Sequence, residues 1–156
     1  MNLLPIIILA IIIFAVFYYV NNKKAMVIIK KYVSIEANNT AFELALLQAI
    51  NLYRYDLGLS ILKTDDFAQQ LAEEHTDFMI AKGKPSHTNN QWRMNELLLK
   101  GAKKVGENVA YAFGTVGGVV KNWDESPKHQ KVMQGDYTHI GISVKEKYFT
   151  TIYIKI

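Results

Sequence analysis

The chain predicts an α+β domain with a small antiparallel sheet, preceded by one transmembrane helix. Three observations carry this reading. Residues 3–20 are an unbroken apolar run without a single charge. From residue 41 to residue 100 the apolar positions recur at helical spacing. Two β-rich stretches, 140–144 and 149–156, then close the chain after most of the helices, an order typical of α+β domains.

The apolar run comes first. Eighteen residues rising about 1.5 Å each span roughly 27 Å, near the thickness of a bilayer's hydrocarbon core. A buried helix of a soluble domain would carry a polar stripe, and this run has none. It closes on Phe17, Tyr18 and Tyr19, which suit an interfacial aromatic belt. No small-residue cleavage pattern ends it, so a retained anchor over residues 1–22 is expected rather than a removed signal. The absence of cysteine excludes a lipid-modified cysteine anchor.

Residues 23–40 read as a basic stalk. Lys23, Lys24, Lys30 and Lys31 account for the whole formal excess of +4, leaving residues 32–156 neutral. A neutral body lacks the basic footprint that nucleic acid requires, so the bilayer is the expected partner, with the lysines on anionic head groups. The β-branched residues Val27, Ile28, Ile29, Val33 and Ile35 leave helix and strand both open here. By the positive-inside rule these lysines favour a cytoplasmic position for the C-terminal side of the anchor.

A folded domain is expected over 41–156. Phe42, Ala45, Leu46, Ala49, Ile50 and Tyr53 follow helical spacing, and Gly58 supplies a stop. A second helix fits 66–82, with Asp66 as N-cap, Gln69 three residues on and Gly83 past its end. A loop carrying His87 comes next, then a third helix over 91–100. Residues 108–113 read as a strand and 114–123 as another helix. A short helix over 127–134 has Ser126 as N-cap, Pro127 at its first position and Gly135 just beyond. Strands 140–144 and 149–156 complete the chain.

Three polar patches punctuate this frame: Ser86-His87, Gly106-Glu107-Asn108 and the segment from Trp123 to His129. Two imidazoles and a carboxylate on separate elements form a plausible zinc set with an open fourth position, or a hydrogen-bonded network in which Glu107 orients the rings. His129 falls in the first turn of its helix, where the helix dipole disfavours imidazolium. A neutral ring binds metal or accepts a proton. Ser126 beside it is accounted for by capping, with no visible triad or oxyanion pocket. Asn108 is placed to steady the turn that aims Glu107, and Glu125 reads as a solvated neighbour that could swing toward the cleft. His75 and His139 read as structural, Trp123 as core, and Arg54 and Arg93 as partners for acids.

The motifs, taken in order, resemble the CAP superfamily of cysteine-rich secretory, antigen 5 and pathogenesis-related (SCP-like) proteins in its bacterial form. They are Asn51-Leu52-Tyr53-Arg54, then Leu71-Ala72 with His75, Ser86-His87, Gly106-Glu107-Asn108-Val109-Ala110, Trp123 with Ser126-Pro127-Lys128-His129, and Tyr137 to Ile142. The resemblance covers about residues 42–156. It implies an α-β-α sandwich with an open cleft, usually outside the cytoplasm, against the lysine signal. It also implies a cleft tetrad in which His87, Glu107 and His129 match three places able to hold a divalent metal such as zinc or magnesium. Ser126 stands at the fourth, acidic place, as is usual in bacterial members. No cofactor is required on this reading, and the family assures no enzymatic activity.

The function expected is a membrane-anchored domain whose His87, Glu107, Ser126, Asn108, Glu125 and His129 cleft binds a lipid, glycan, peptide or labile metal. A rival is a hydrolase of peptides or cell-wall polymer with Glu107 as general base. A third reading is a structural membrane or virion protein that keeps the fold without the site.

Overall fold

A computed structural model describes residues 23–112 and 115–156, with side chains from Thr40 onward. The described residues divide between Asn38 and Asn39 into two units, each taken by itself. The predicted anchor, residues 3–20, lies outside the described residues; no helix among the described residues is long and apolar enough to cross a membrane. Helix α1, Lys23–Asp56, resolves the open reading of residues 23–36 in favour of helix.

Within the second unit, the remaining elements are β1 (Lys63–Thr64), α2 (Asp66–Lys82), α3 (Asn90–Leu99), β2 (Lys104–Tyr111), α4 (Val116–Asp124), α5 (Pro127–Met133), β3 (His139–Lys145) and β4 (Tyr148–Lys155). The order in the sheet is β1-β3-β4-β2. β1 runs parallel to β3 and the other pairs are antiparallel, so the sheet is mixed rather than purely antiparallel.

Helices cover both faces. On one, Ala68, Leu71 and Ala72 of α2 and Leu97 of α3 pack on Ile152 and Ile154. On the other, Leu46 and Ile50 of α1, Val119 and Trp123 of α4 and Met133 of α5 pack on Ile140, Ile142, Phe149 and Tyr153. Alternate residues of a strand point to opposite faces, and the two apolar sets of β4 follow that parity. The close approach of α2 depends on Gly141, where a Cβ would lie 2.1 Å from the backbone carbonyl carbon of Ala68.

Two local expectations shift. The N-cap of α2 is Asp65, whose carboxylate accepts the Ala68 N–H at 2.8 Å, one residue before the predicted Asp66. Arg54 does not pair with an acid. Buried to 1% exposure, it donates to the carbonyls of Ser60, Met133 and Gly135 at 2.8, 2.6 and 2.9 Å. It thereby ties the end of α1 to the loop after α5.

Candidate functional site

β2 is an edge strand, and its register sets the site. Glu107 lies opposite Ile152 and so faces the α2–α3 layer; Asn108 lies opposite Thr151 and faces the α4–α5 layer. Gly106 serves a different purpose from a turn: a Cβ there would sit 2.5 Å from the Tyr137 hydroxyl, so the missing side chain makes room for that ring.

Glu107 is nearly fully buried, and both of its oxygens are engaged. One accepts from His87 Nδ1 at 2.8 Å and from Asn90 Nδ2 at 2.9 Å. The other accepts from Arg93 Nε at 2.8 Å, with Arg93 Nη2 2.6 Å away. Burial works to raise the Glu107 pKa; the His87 hydrogen bond, the Arg93 charge and the Asn90 bond outweigh it and hold the carboxyl below its ordinary value. A carboxylate can only accept, so the proton on His87 sits on Nδ1, and Nε2 points away with its lone pair in the neutral ring. Half of the His87 side chain is exposed.

Sequence reasoning anticipated an acid for Arg93 and missed Asn90. The signal was present: Asn90 and Arg93 are three apart at the start of α3, on one helical face, directly after His87. His75 is buried and donates its ring N–H to the Ser86 carbonyl at 2.7 Å, which fixes the loop that presents His87. Burial, followed by the Arg93 charge, lowers its pKa and keeps it neutral.

On the other face, Asn108 does not steady the Glu107 turn. It is fully buried and donates from Nδ2 to the backbone carbonyl of His129 at 3.0 Å, seating the start of α5 against the strand. The His129 pKa is lowered by burial first, then by the charges of His87 and Lys128. The direction matches the helix-dipole expectation, but the leading cause is desolvation. Ser126 occupies the N-cap position of α5 without making a side-chain capping hydrogen bond, which removes the capping account of its hydroxyl. Trp123 is buried as expected and donates from Nε1 to the Val109 carbonyl at 3.3 Å. Glu125 is exposed and lies 3.7 Å from Lys121, a solvated pair. His139, at the start of β3, contacts the Thr138 hydroxyl at 2.9 Å.

Beside these groups lies an open groove of about 350 Å³. Val109, Ala110, Ala112, Val119 and Trp123 give it an apolar floor; Pro85, Asn122, Ser126 and His129 stand around it. Glu107 and His87 therefore form one half of the site, and His129 and Ser126 the other, astride one edge strand.

The sequence pattern of the cysteine-rich secretory protein family, CAP, matches residues 47–153. The chain belongs to this family. It is 31% identical over 121 residues to the uncharacterized membrane protein YlbC of Bacillus subtilis, a match covering 74% of the chain and 35% of that protein. The chain thus spans about a third of the length of this relative. An extracellular protein of Bacillus anthracis containing an SCP domain superposes with a TM-score of 0.71 at 20% identity, over 78% of this chain and 43% of that one. A cysteine-rich secretory protein of Staphylococcus aureus gives 0.67 at 20% identity, over 76% and 39%. An outer surface protein of Borrelia burgdorferi gives 0.64 at 21% identity, over 71% and 90%. These likenesses establish the CAP fold for this chain.

The CAP resemblance brings with it a divalent metal at His87, Glu107 and His129, and the arrangement fits one poorly. A cation at Glu107 would face the Arg93 guanidinium, already 2.6 Å from the same carboxylate. Among the described residues, no three His, Cys, Asp or Glu side chains group as metal ligands. The Glu107 carboxylate is saturated by nitrogen donors.

Proposed function

We propose that this is a membrane-anchored CAP domain, held outside the cytoplasm, whose groove beside His87, Glu107 and His129 binds a ligand. The observation that carries the reading is the open, apolar-floored groove bounded by His129 and Ser126, with a rigid Glu107–Arg93–His87 network next to it. A volume of about 350 Å³ lies within the range of small-ligand pockets. The apolar run at residues 3–20 and the membrane-protein name of the Bacillus relative support the anchor. The extracellular Bacillus anthracis neighbour supports the placement.

Hydrolysis with Glu107 as general base fits less well. A carboxylate held ionised by hydrogen bonds from an arginine, a histidine and an asparagine is a weak base, and its lone pairs are taken. The network instead presents the free edge of His87 as a fixed donor or acceptor at the mouth of the site.

The test uses the full chain in detergent, titrated with short peptides, glycan fragments and fatty acids while Trp123 emission and the His129 ring signals are followed. Binding by one class, weakened about tenfold or more by His129→Ala and spared by Glu125→Ala, is the expected result. Silence from every class would remove the ligand-binding reading. A C-terminal reporter active only in the cytoplasm would overturn the placement.

A further inference from the structure

We propose that the outer face of α3, with the turn that follows it, lies on an anionic lipid surface. The occupant rests on the membrane-anchored reading. The surface itself is built from residues that neither the groove nor the Glu107 network uses.

α3 gives one face to the fold. Arg93 and Leu97, four apart, are its buried residues, and they serve the Glu107 carboxylate and the α2 layer. The helix then closes in a Schellman turn. Ala102 N–H donates to the Leu97 carbonyl at 3.0 Å, and Gly101 N–H to that of Leu98 at 3.0 Å. Gly101 holds the left-handed φ of 99° that such a turn requires. The apolar contact that accompanies the turn is made by Leu97 and Ala102, which belong to the core beneath α2.

Nothing in that arrangement calls for leucine at 98 and 99. Yet Leu98 is 46% exposed, Leu99 82% and Trp92 52%. Trp92 and Leu99 are seven apart, two turns along one outer line of the helix, and Leu98 flanks them. Single exposed apolar residues are ordinary, but three large ones on one ten-residue helix make a ridge.

Charge names the partner. Lys100 and Lys103 follow the ridge directly and are exposed. Among the described residues, neither has a carboxylate in ion-pair reach. Lys100 Nζ lies 5.0 Å over the Phe67 ring, which holds the ammonium at the end of the helix. Lys104 takes no part, because it lies over Tyr137. The single acid of α3, Glu96, is half-buried. Tryptophan and leucine beside lysine suit a lipid interface: the apolar groups enter the headgroup–acyl boundary and the ammoniums meet phosphate. An anionic polymer would use the lysines and leave the ridge in water. A second copy would cover the ridge but bring two sets of these lysines together. A lipid surface satisfies both.

The chain holds two tryptophans, and Trp123 is buried, so Trp92 is followed by difference. The full chain and its Trp92→Phe variant are reconstituted into phosphatidylcholine vesicles, with or without about one-third phosphatidylglycerol. Each is prepared with plain or brominated acyl chains. In anionic vesicles, bromination should cut the Trp92-dependent emission at least about twofold, and joint Lys100→Gln and Lys103→Gln should restore most of it. All three positions are exposed, so the variants should melt with the wild type. Quenching that is absent, or equal in both compositions, overturns the proposal. So does shielding of Trp92 from acrylamide in lipid-free detergent as protein concentration rises, which would assign the ridge to a second copy. An alkaline carbonate wash reports the anchor separately. An anchored chain with unquenched Trp92 loses this surface alone, whereas a washed-off chain still quenched by anionic vesicles loses the anchor alone.

Discussion

The two faces of β2 differ in kind, although Glu107 and Asn108 are adjacent in sequence. Toward α2 and α3, Glu107 meets an arginine, an asparagine and a histidine, and its carboxylate is saturated. Toward α4 and α5, Asn108 is fully buried and donates one bond to the His129 carbonyl. The saturated face resists rearrangement, because removing any donor strands a buried charge. The other face carries the open groove. One edge strand thus joins a densely hydrogen-bonded support to the groove, and the string Gly106-Glu107-Asn108 spans both.

Breaking the support should cost most. Arg93→Ala leaves Glu107 buried with His87 and Asn90 alone, and a loss of about 3–5 kcal/mol in denaturant unfolding is expected. A loss below about 1 kcal/mol would show that the carboxyl simply takes up a proton. Asn108→Ala removes one bond on the opposite face and should cost about 1–2 kcal/mol. It should also move the His129 ring resonances while leaving those of His87 in place.

Acid acts on the two faces in two pH windows that do not divide along them, since His75 lies on the Glu107 side. The folded pKa values of His75 and His129 lie below the ordinary value of 6.5, so their unfolded forms bind protons first. Stability that is complete above that pH declines as pH falls through the lowered folded values. Glu107 is also depressed, from 4.5, so its contribution is complete above 4.5 and drains away at lower pH still. Melting temperature against pH should fall in two stages, and Glu107→Gln should shrink the second, which the depressed Asp124 and Asp136 share. A single stage in the wild type would contradict the assignment. The smallest effect is expected at Ser126→Ala, within about 0.5 kcal/mol, because the hydroxyl makes no capping bond. A cost near 1 kcal/mol would restore the capping role.

Much of the architecture was legible because its signals are local. The periodic face from Phe42 to Tyr53, Gly83 after α2 and Ser126-Pro127 before α5 each marked an element to within a few residues. Paired aspartates at 65 and 66 left the cap ambiguous by one position. β1 could not be read, since two residues carry no period and its pairing with His139 and Ile140 is set by tertiary position. The His87–Glu107 contact was legible as a meeting of motifs. The bond from Asn108 to the His129 backbone was not, because it depends on β2 lying at an edge, and strand order is written in no short segment. Arg54 misled for a related reason: only the fold reveals that carbonyls roughly eighty residues later replace the expected acid.

The sheet order has a further meaning for how the protein is made. Among the described residues β4 comes after the other strands, yet it lies between β3 and β2 and supplies most of the pairings. Until it emerges from the ribosome, β2 and β3 have no common neighbour, and the helices have no continuous surface to cover. A nascent chain ending before Tyr148 is therefore an open substrate for chaperones and proteases. Completion of its last strand turns it, in one late step, into a closed domain.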